Sequence, residues 1–316
     1  MKGKFFPHPM KYVITGGAGF IGSHLAESLV NRGDSVIIFD DLNTGKKQNL
    51  IKVLDKIKFV EGDVRNYNSL EKIFQSTDGV FHHAARASVQ ESFLKPAEYF
   101  DINVNGTENV FKIAHSLGIK VVYASSSSVY GMPTKLPIKE DDPKNPINPY
   151  AKTKLEDEKI ARKYALKGLN VIGLRYFNVF GERQSKEYAG VIKLFLERIQ
   201  EKLPPKINGD GLQTRDFVYV GDIVLANILS MESNIDHTFF NVGTGTNISV
   251  LEIARMMVKY SGLDLEPIHG PVLEGDVKDT LADISHIKRE LDWKPTVFLE
   301  EWLKKKITTF NINYKT

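Results

Sequence analysis

Short runs of β-branched and aromatic residues alternate, through the first half of the chain, with longer stretches whose apolar positions recur every three or four residues. Strands joined by amphipathic crossover helices have this pattern, and a helix between successive strands implies parallel pairing. The runs at residues 12–15, 35–39, 58–60, 79–82, 121–124 and 171–174 read as strands. Between the first two, Ile21, Leu25 and Leu29 fall four apart on one helical face, and Gly33 follows as a stop. The same reasoning predicts helices around residues 97–116 and 150–165. A proline-rich loop over 133–149 separates the fifth strand from the second of these helices, and a loop of that length is expected to shape the mouth of a site. Past about Asn178 the alternation fades into mixed elements, with turn signals at Pro204-Pro205, Gly209-Asp210-Gly211 and Gly243-Thr244-Gly245. The pattern predicts an α/β protein: a doubly wound parallel sheet over residues 1–178 and a smaller mixed α/β lobe over 179–316, with segments of the second part returning to the first.

Composition narrows the class. The 316 residues, 42% of them apolar, leave ample chain to bury a core. Against 39 Asp+Glu stand 42 Lys+Arg, a formal charge of +3 from interspersed lysines, so no nucleic-acid surface is expected. The absence of cysteine excludes disulfides, thiolate zinc sites and a cysteine nucleophile, and it suits a cytoplasmic protein. The histidines show no metal-ligand spacing, and His82 and His83 read as structural. No apolar run approaches the ~18–20 residues of a membrane span. The opening Met1-Lys2-Gly3-Lys4-Phe5-Phe6-Pro7-His8-Pro9 has basic residues without an apolar signal core, so residues 1–10 read as a loose extension.

Thr15-Gly16-Gly17-Ala18-Gly19-Phe20-Ile21-Gly22 follows the first predicted strand and opens the first predicted helix. Glycines there let backbone N–H groups and the helix N-terminus approach a pyrophosphate, the arrangement of a Rossmann-type dinucleotide site. Asp40 closes the second strand, where a carboxylate accepts bonds from the adenosine ribose hydroxyls. With Asp41 beside it and no arginine immediately following, NAD is favoured over NADP, whose 2′-phosphate would meet like charge. Asp63 and Val64, just past the third strand, are placed to border the adenine. The plainer alternatives are a tight turn at the glycines and an ordinary turn residue at Asp63.

Tyr150-Ala151-Lys152-Thr153-Lys154 sets a phenol and an ammonium four residues apart on one helix face, close enough for the charge to favour phenolate. Tyrosine then becomes a usable base. Such a pair also decorates solvated helices by chance. Its position lends weight, because it follows a strand ending Ala124-Ser125-Ser126-Ser127-Ser128-Val129-Tyr130-Gly131, whose hydroxyls face the crevice of such a sheet.

Taken together, these segments resemble the extended short-chain dehydrogenases, specifically the nucleotide-sugar 4-epimerases of the UDP-galactose 4-epimerase type. The resemblance runs through almost the whole chain and includes His82-His83-Ala84-Ala85, Asn103-Val104-Asn105-Gly106-Thr107, Leu174-Arg175-Tyr176-Phe177-Asn178 and Thr214-Arg215-Asp216-Phe217. It implies that Ser126, Tyr150 and Lys154 are catalytic. Gly16, Gly19, Phe20, Ile21, Gly22, Asp40, Asp41, Asp63, Val64, Ala84, Ala85 and Tyr176, with Tyr150 and Lys154, would line an NAD site. Ser88, Asn178, Val191, Arg215 and Thr280, with Ser126 and Tyr150, would hold a nucleotide sugar. Tyr150 would take the proton of the sugar 4-hydroxyl while hydride leaves C4, and the 4-keto sugar would turn over before hydride returns.

The related 4,6-dehydratases carry Asp and Glu where Ser127 and Ser128 stand here, and the decarboxylases carry Glu at the second position, so 4-epimerisation remains. Ser125, Ser127 and Ser128 are then structural. The family's second diphosphate arginine is missing beside Leu273-Glu274, which leaves Lys193 or Arg183 to complete that contact. Arg215 has an ion pair with Asp216 or Asp222 as its alternative. Thr280 stands where the family places a bulky or small gatekeeper, and its small size implies room for an N-acetyl group at C2 as well as for plain UDP-glucose and UDP-galactose. A UDP-glucuronate 4-epimerase or another keto-sugar enzyme is the alternative, and a non-catalytic NAD-binding sensor or scaffold is the alternative of another class. The helices at 97–116 and 150–165 resemble those that pair subunits in the family, implying a homodimer.

Overall fold

The apolar runs become neighbours in one sheet. A computed structural model describes residues 9–184 and 190–313, so most of the expected N-terminal extension lies outside the described residues. Strands β1 (Lys11–Thr15), β2 (Ser35–Asp40), β3 (Ile57–Glu61), β4 (Gly79–His82), β5 (Lys120–Ser126) and β6 (Val171–Tyr176) follow the sequence pattern. They lie parallel in the order β3-β2-β1-β4-β5-β6. The chain therefore builds outward from β1 to β3 and then crosses back to β4 on the other side of β1. That reversal leaves a crevice at the carboxyl ends of β1 and β4, where doubly wound sheets bind ligands. Beyond β6 come four short strands, β7 (Asn178–Phe180), β8 (Lys206–Asn208), β9 (Thr214–Arg215) and β10 (Phe217–Tyr219). Then β11 (His237–Val242) returns to pair in parallel with β6, setting Phe240 opposite Leu174 and completing a seven-stranded sheet. The last two, β12 (Ile248–Ser249) and β13 (Ile268–Gly270), pair with β9 and β8.

The helices of the described residues are α1 (Phe20–Arg32), α2 (Tyr67–Phe74), α3 (Val89–Leu94), α4 (Pro96–Phe100), α5 (Gly106–Leu117), α6 (Pro149–Ala165), α7 (Val191–Gln200), α8 (Val220–Glu232), α9 (Val250–Ser261), α10 (Ser285–Leu291) and α11 (Leu299–Asn313); α1 and α8 cover one face of the sheet and α2, α5 and α6 the other. Strands buried on both sides need apolar residues at successive positions, and alternate residues of β1 and β2 enter two different cores. Ile14 and Ile38 meet Leu25 and Leu29 of α1 and Ile223 of α8. Val13 and Ile37 meet Leu70 of α2, Phe111 of α5 and Ala161 of α6. Gly33 ends α1 as expected, in the left-handed conformation at φ +97°, with Asp34 N–H bonding Leu29 O at 3.0 Å. A third apolar cluster, from Phe180, Phe195, Phe217, Ile253 and Leu303, gathers α7, α9 and α11 into the second lobe.

Two expectations change. The predicted helix at 97–116 is interrupted by a π-helical turn, Asp101–Asn105, between α4 and α5. Its wider winding turns Asn103 inward, where Nδ2 donates to Arg86 O and Thr153 Oγ1, both at 3.0 Å, and Oδ1 accepts from Arg86 N–H at 2.8 Å. The proline-rich loop does not shape the mouth of the main cavity, whose lining skips from Ser126 to Tyr150. It latches the C-terminal part of the chain instead: Ile138 N–H bonds Leu281 O and Asp283 N–H bonds Ile138 O, both at 2.8 Å.

Candidate active site

A cavity of about 420 Å³ opens at the crevice. Its floor is the turn from β1 into α1. Gly16 has φ +68°, and a Cβ there would lie 2.6 Å from Ala84 N, so only glycine lets the loop meet the β4 end. A Cβ at Gly22 would lie 2.4 Å from Gly16 O, so α1 can start directly against the loop. Gly19 caps α1 without a side-chain bond, and no acidic residue sits in its first turn. The helix therefore presents unsatisfied N–H groups and an uncompensated positive dipole end to the cavity, as an anion requires.

At the β2 end, Asp40 lines the cavity and is nearly buried, accepting N–H bonds from Ala18 at 2.9 Å and Leu42 at 2.8 Å. Burial raises its carboxyl above the ordinary range, against these bonds. Asp41 accepts a bond from Arg86 Nη2 at 2.9 Å. Asp63 and Val64 complete this end, Asp63 being held by Arg65.

At the other end stand Ser126, Tyr150 and Lys154. Pro149 at the first position and the Asn148 side chain, which accepts Ala151 N–H at 2.8 Å, start α6 just before Tyr150. Lys154 is buried one turn on and donates to Ala124 O at 3.1 Å and Asp157 Oδ2 at 3.2 Å. Ser126 Oγ accepts Ser128 N–H at 3.1 Å. Ser125, read as structural, donates to Glu158 at 2.7 Å, and Glu158 binds the Arg175 guanidinium through both oxygens at 2.8 Å. A phenol, an ammonium and a hydroxyl thus share one cavity with an anion-binding helix end and a carboxylate, a set suited to dinucleotide-dependent proton and hydride transfer.

Residues 12–243 match the NAD dependent epimerase/dehydratase family. The chain belongs to that family. Within it, the chain is an NAD-dependent isomerase of the UDP-sugar 4-epimerase group. It is 36% identical to a UDP-glucose 4-epimerase of Lactobacillus helveticus, over 90% of this chain and 92% of that one. The structure of a UDP-glucose 4-epimerase from Thermotoga maritima with UDP-glucose superposes with a TM-score of 0.91 at 36% identity, covering 96% of this chain and all of that one. A UDP-N-acetylglucosamine 4-epimerase from Methanobrevibacter ruminantium, in complex with UDP-N-acetylmuramic acid, gives 0.90 at 36% identity, with 96% and 99% covered.

The family's cofactor fits the residues present. The glycine loop leaves the α1 N-terminus bare toward a pyrophosphate, and Asp40 offers acceptors where a ribose would lie. Gly16, Gly19, Phe20, Ile21, Gly22, Asp40, Asp41, Asp63, Val64, Ala84, Ala85, Tyr150, Lys154 and Tyr176 all line this cavity, as do Ser126 and Asn178. Four expected substrate residues do not. Ser88 caps α3, accepting Glu91 N–H at 3.1 Å. Val191 starts α7, where its neighbours Gly190 and Ile192 line the cavity instead. Thr280 is buried behind β9, its Oγ1 facing Asp216 N–H at 3.4 Å. Arg215 pairs neither with Asp216 nor with Asp222 but with Asp276, and it also donates to the carbonyls of Thr214 at 2.7 Å and Lys278 at 3.0 Å.

Arg183, one of the two candidates for the missing diphosphate contact, does line the cavity; Lys193 does not. His82 is structural, as read, but His83 is not merely so: it lines the cavity and stacks on Tyr176 with ring planes 9° apart. Arg86 was not foreseen, because it reaches Asp41 from 45 positions along the chain. Its only sequence signal is its place directly after the Ala84-Ala85 pair. Among the described residues no cluster of three or more His, Asp or Glu side chains is placed to hold a metal ion, and no helix is long and apolar enough to cross a membrane.

Proposed function

We propose that the chain inverts C4 of UDP-glucose and UDP-galactose, and likewise of UDP-N-acetylglucosamine and UDP-N-acetylgalactosamine. The observation that carries this reading is the convergence of Tyr150, Lys154 and Ser126 on the cavity that holds the glycine loop. NAD bound there supplies the hydride acceptor and, on the return, the donor. Tyr150 takes the 4-hydroxyl proton as C4 is oxidised, and returns it when the 4-keto sugar has presented its other face. Ser126 Oγ hydrogen-bonds the same oxygen, and the Lys154 ammonium favours phenolate over phenol. No carboxylate stands at Ser127 or Ser128, so nothing beside Ser126 performs elimination or decarboxylation. Room for an N-acetyl group is supported by the N-acetylglucosamine 4-epimerase among the relatives.

Proton NMR of the purified protein with UDP-glucose, UDP-N-acetylglucosamine or UDP-glucuronate tests the proposal. C4 epimers are expected from the first two, whereas turnover of UDP-glucuronate alone would replace the substrate assignment. Tyr150→Phe is expected to lower kcat at least ~1000-fold while NAD and UDP-sugar affinities stay within about twofold. Retained turnover would remove Tyr150 as the base.

A further inference from the structure

The active-site helix carries one carboxylate that the reaction as described leaves idle. Asp157, on α6 one turn beyond Lys154, has no exposed surface, and its Oδ2 accepts the Lys154 ammonium at 3.2 Å. No hydrogen bond of ordinary geometry reaches its Oδ1, although Thr107 of α5 faces it. The other charge acting on it is that of Glu158, also on α6, which pushes its carboxyl further up and is itself paired with Arg175 of β6. Tyr123 of β5 faces it as a neutral phenol, and burial keeps the imidazoles of His82 and His83, at the β4 end, uncharged. Arg162, on α6 beyond Glu158, lies over the Phe239 ring. Lys154 is thus left with Asp157 as its one ion-pair partner among the described residues.

Tyr150, Lys154 and Asp157 follow one another at spacings of four and three along α6, which sets them on one helix face, the Asp157 backbone about 10 Å along the axis from that of Tyr150 and Lys154 between them in sequence. A carboxylate in contact with the ammonium offsets its field, and a neutral carboxyl does not. We propose that Asp157 is a positioning residue for the base: its charge sets how much of the Lys154 field reaches the Tyr150 phenol. The proposal rests on the reading of Tyr150 as the base. Burial pushes the Asp157 carboxyl up to about 7, so its charge changes within the neutral range. As the pH rises, Asp157 loses its proton and the pull toward phenolate weakens.

The test uses holoenzyme matched for NAD content, with Asp157→Asn, which keeps the shape, and Asp157→Val, which removes the polar group. Two readouts are compared: the pH profile of kcat for 4-epimerisation, and the phenolate ultraviolet difference absorbance with Tyr150→Phe as the blank. In Asp157→Asn the phenolate signal is expected to appear about one pH unit lower than in the wild type, with the acid limb of kcat following it. An unchanged midpoint in folded variants, or an equal loss of kcat at every pH, would overturn the proposal. So would failure of both variants to fold, which would make Asp157 a structural residue. Should Tyr150→Phe keep its turnover, the assignment of the base falls, whereas the absorbance titration still reports whether Asp157 acts on the phenol.

Discussion

His82 sits between two hydroxyls, Thr15 Oγ1 at 2.6 Å and Thr107 Oγ1 at 2.9 Å, and burial holds its imidazole well below the ordinary histidine range. The folded chain refuses a proton there that the unfolded chain accepts. The stability tied to this site is therefore full above about pH 6.5 and is lost as the pH falls toward the depressed folded value. Urea unfolding at pH 7 and at pH 5 should show the wild type losing stability faster than His82→Gln, with a difference of at most ~1.4 kcal/mol per pH unit. Parallel losses would mean that His82 is not kept neutral by the fold. Residues of this kind divide into those that sequence discloses and those it does not. Gly16, Gly22 and Asp40 answer to local backbone demands, and Tyr150 with Lys154 to a fixed helical spacing, so all five are legible. Arg86 and Arg215 depend on carboxylates 45 and 61 positions away, and no local pattern records such a pairing.

At the scale of elements, the junction of β1 with α1 is the most constrained part of the site. Gly22→Ala would drive a methyl group into Gly16 O, a backbone atom that cannot move aside cheaply. The expected result is a rise in the NAD dissociation constant of at least about tenfold by calorimetry, with the far-ultraviolet circular dichroism preserved. Unchanged affinity would show that the close approach is not needed for the cofactor. The strands were readable as continuous apolar runs, because packing on both faces of the sheet buries successive residues, and the long helices by their 3.6-residue period. The π turn at Asp101–Asn105 was not, since the apolar spacing of Ile102, Val110 and Phe111 is compatible with an unbroken helix. What opens that turn is the need of Asn103 to reach Arg86 and Thr153 together, a tertiary requirement.

For the whole molecule, the return of β11 to the edge of β6 ties the two halves of the sequence into one sheet. We propose that residues 1–178, although they contain most of the cofactor residues, do not form an independent unit. A fragment of those residues would lack α8 and β11 and so expose Ile172 and Leu174 of β6. It is expected to aggregate or to show no cooperative melt and no NAD binding; a monomeric fragment that melts cooperatively and binds NAD would make the first half self-sufficient. The same return sets a schedule during synthesis. The outer edge of β6 is finished at Tyr176, and its neighbour begins at His237. At about 5–20 residues per second, the nascent chain holds that edge, with its N–H and C=O groups unpaired, for roughly 3–12 s. During that interval the ribosome, or a chaperone beside it, must keep other chains off β6.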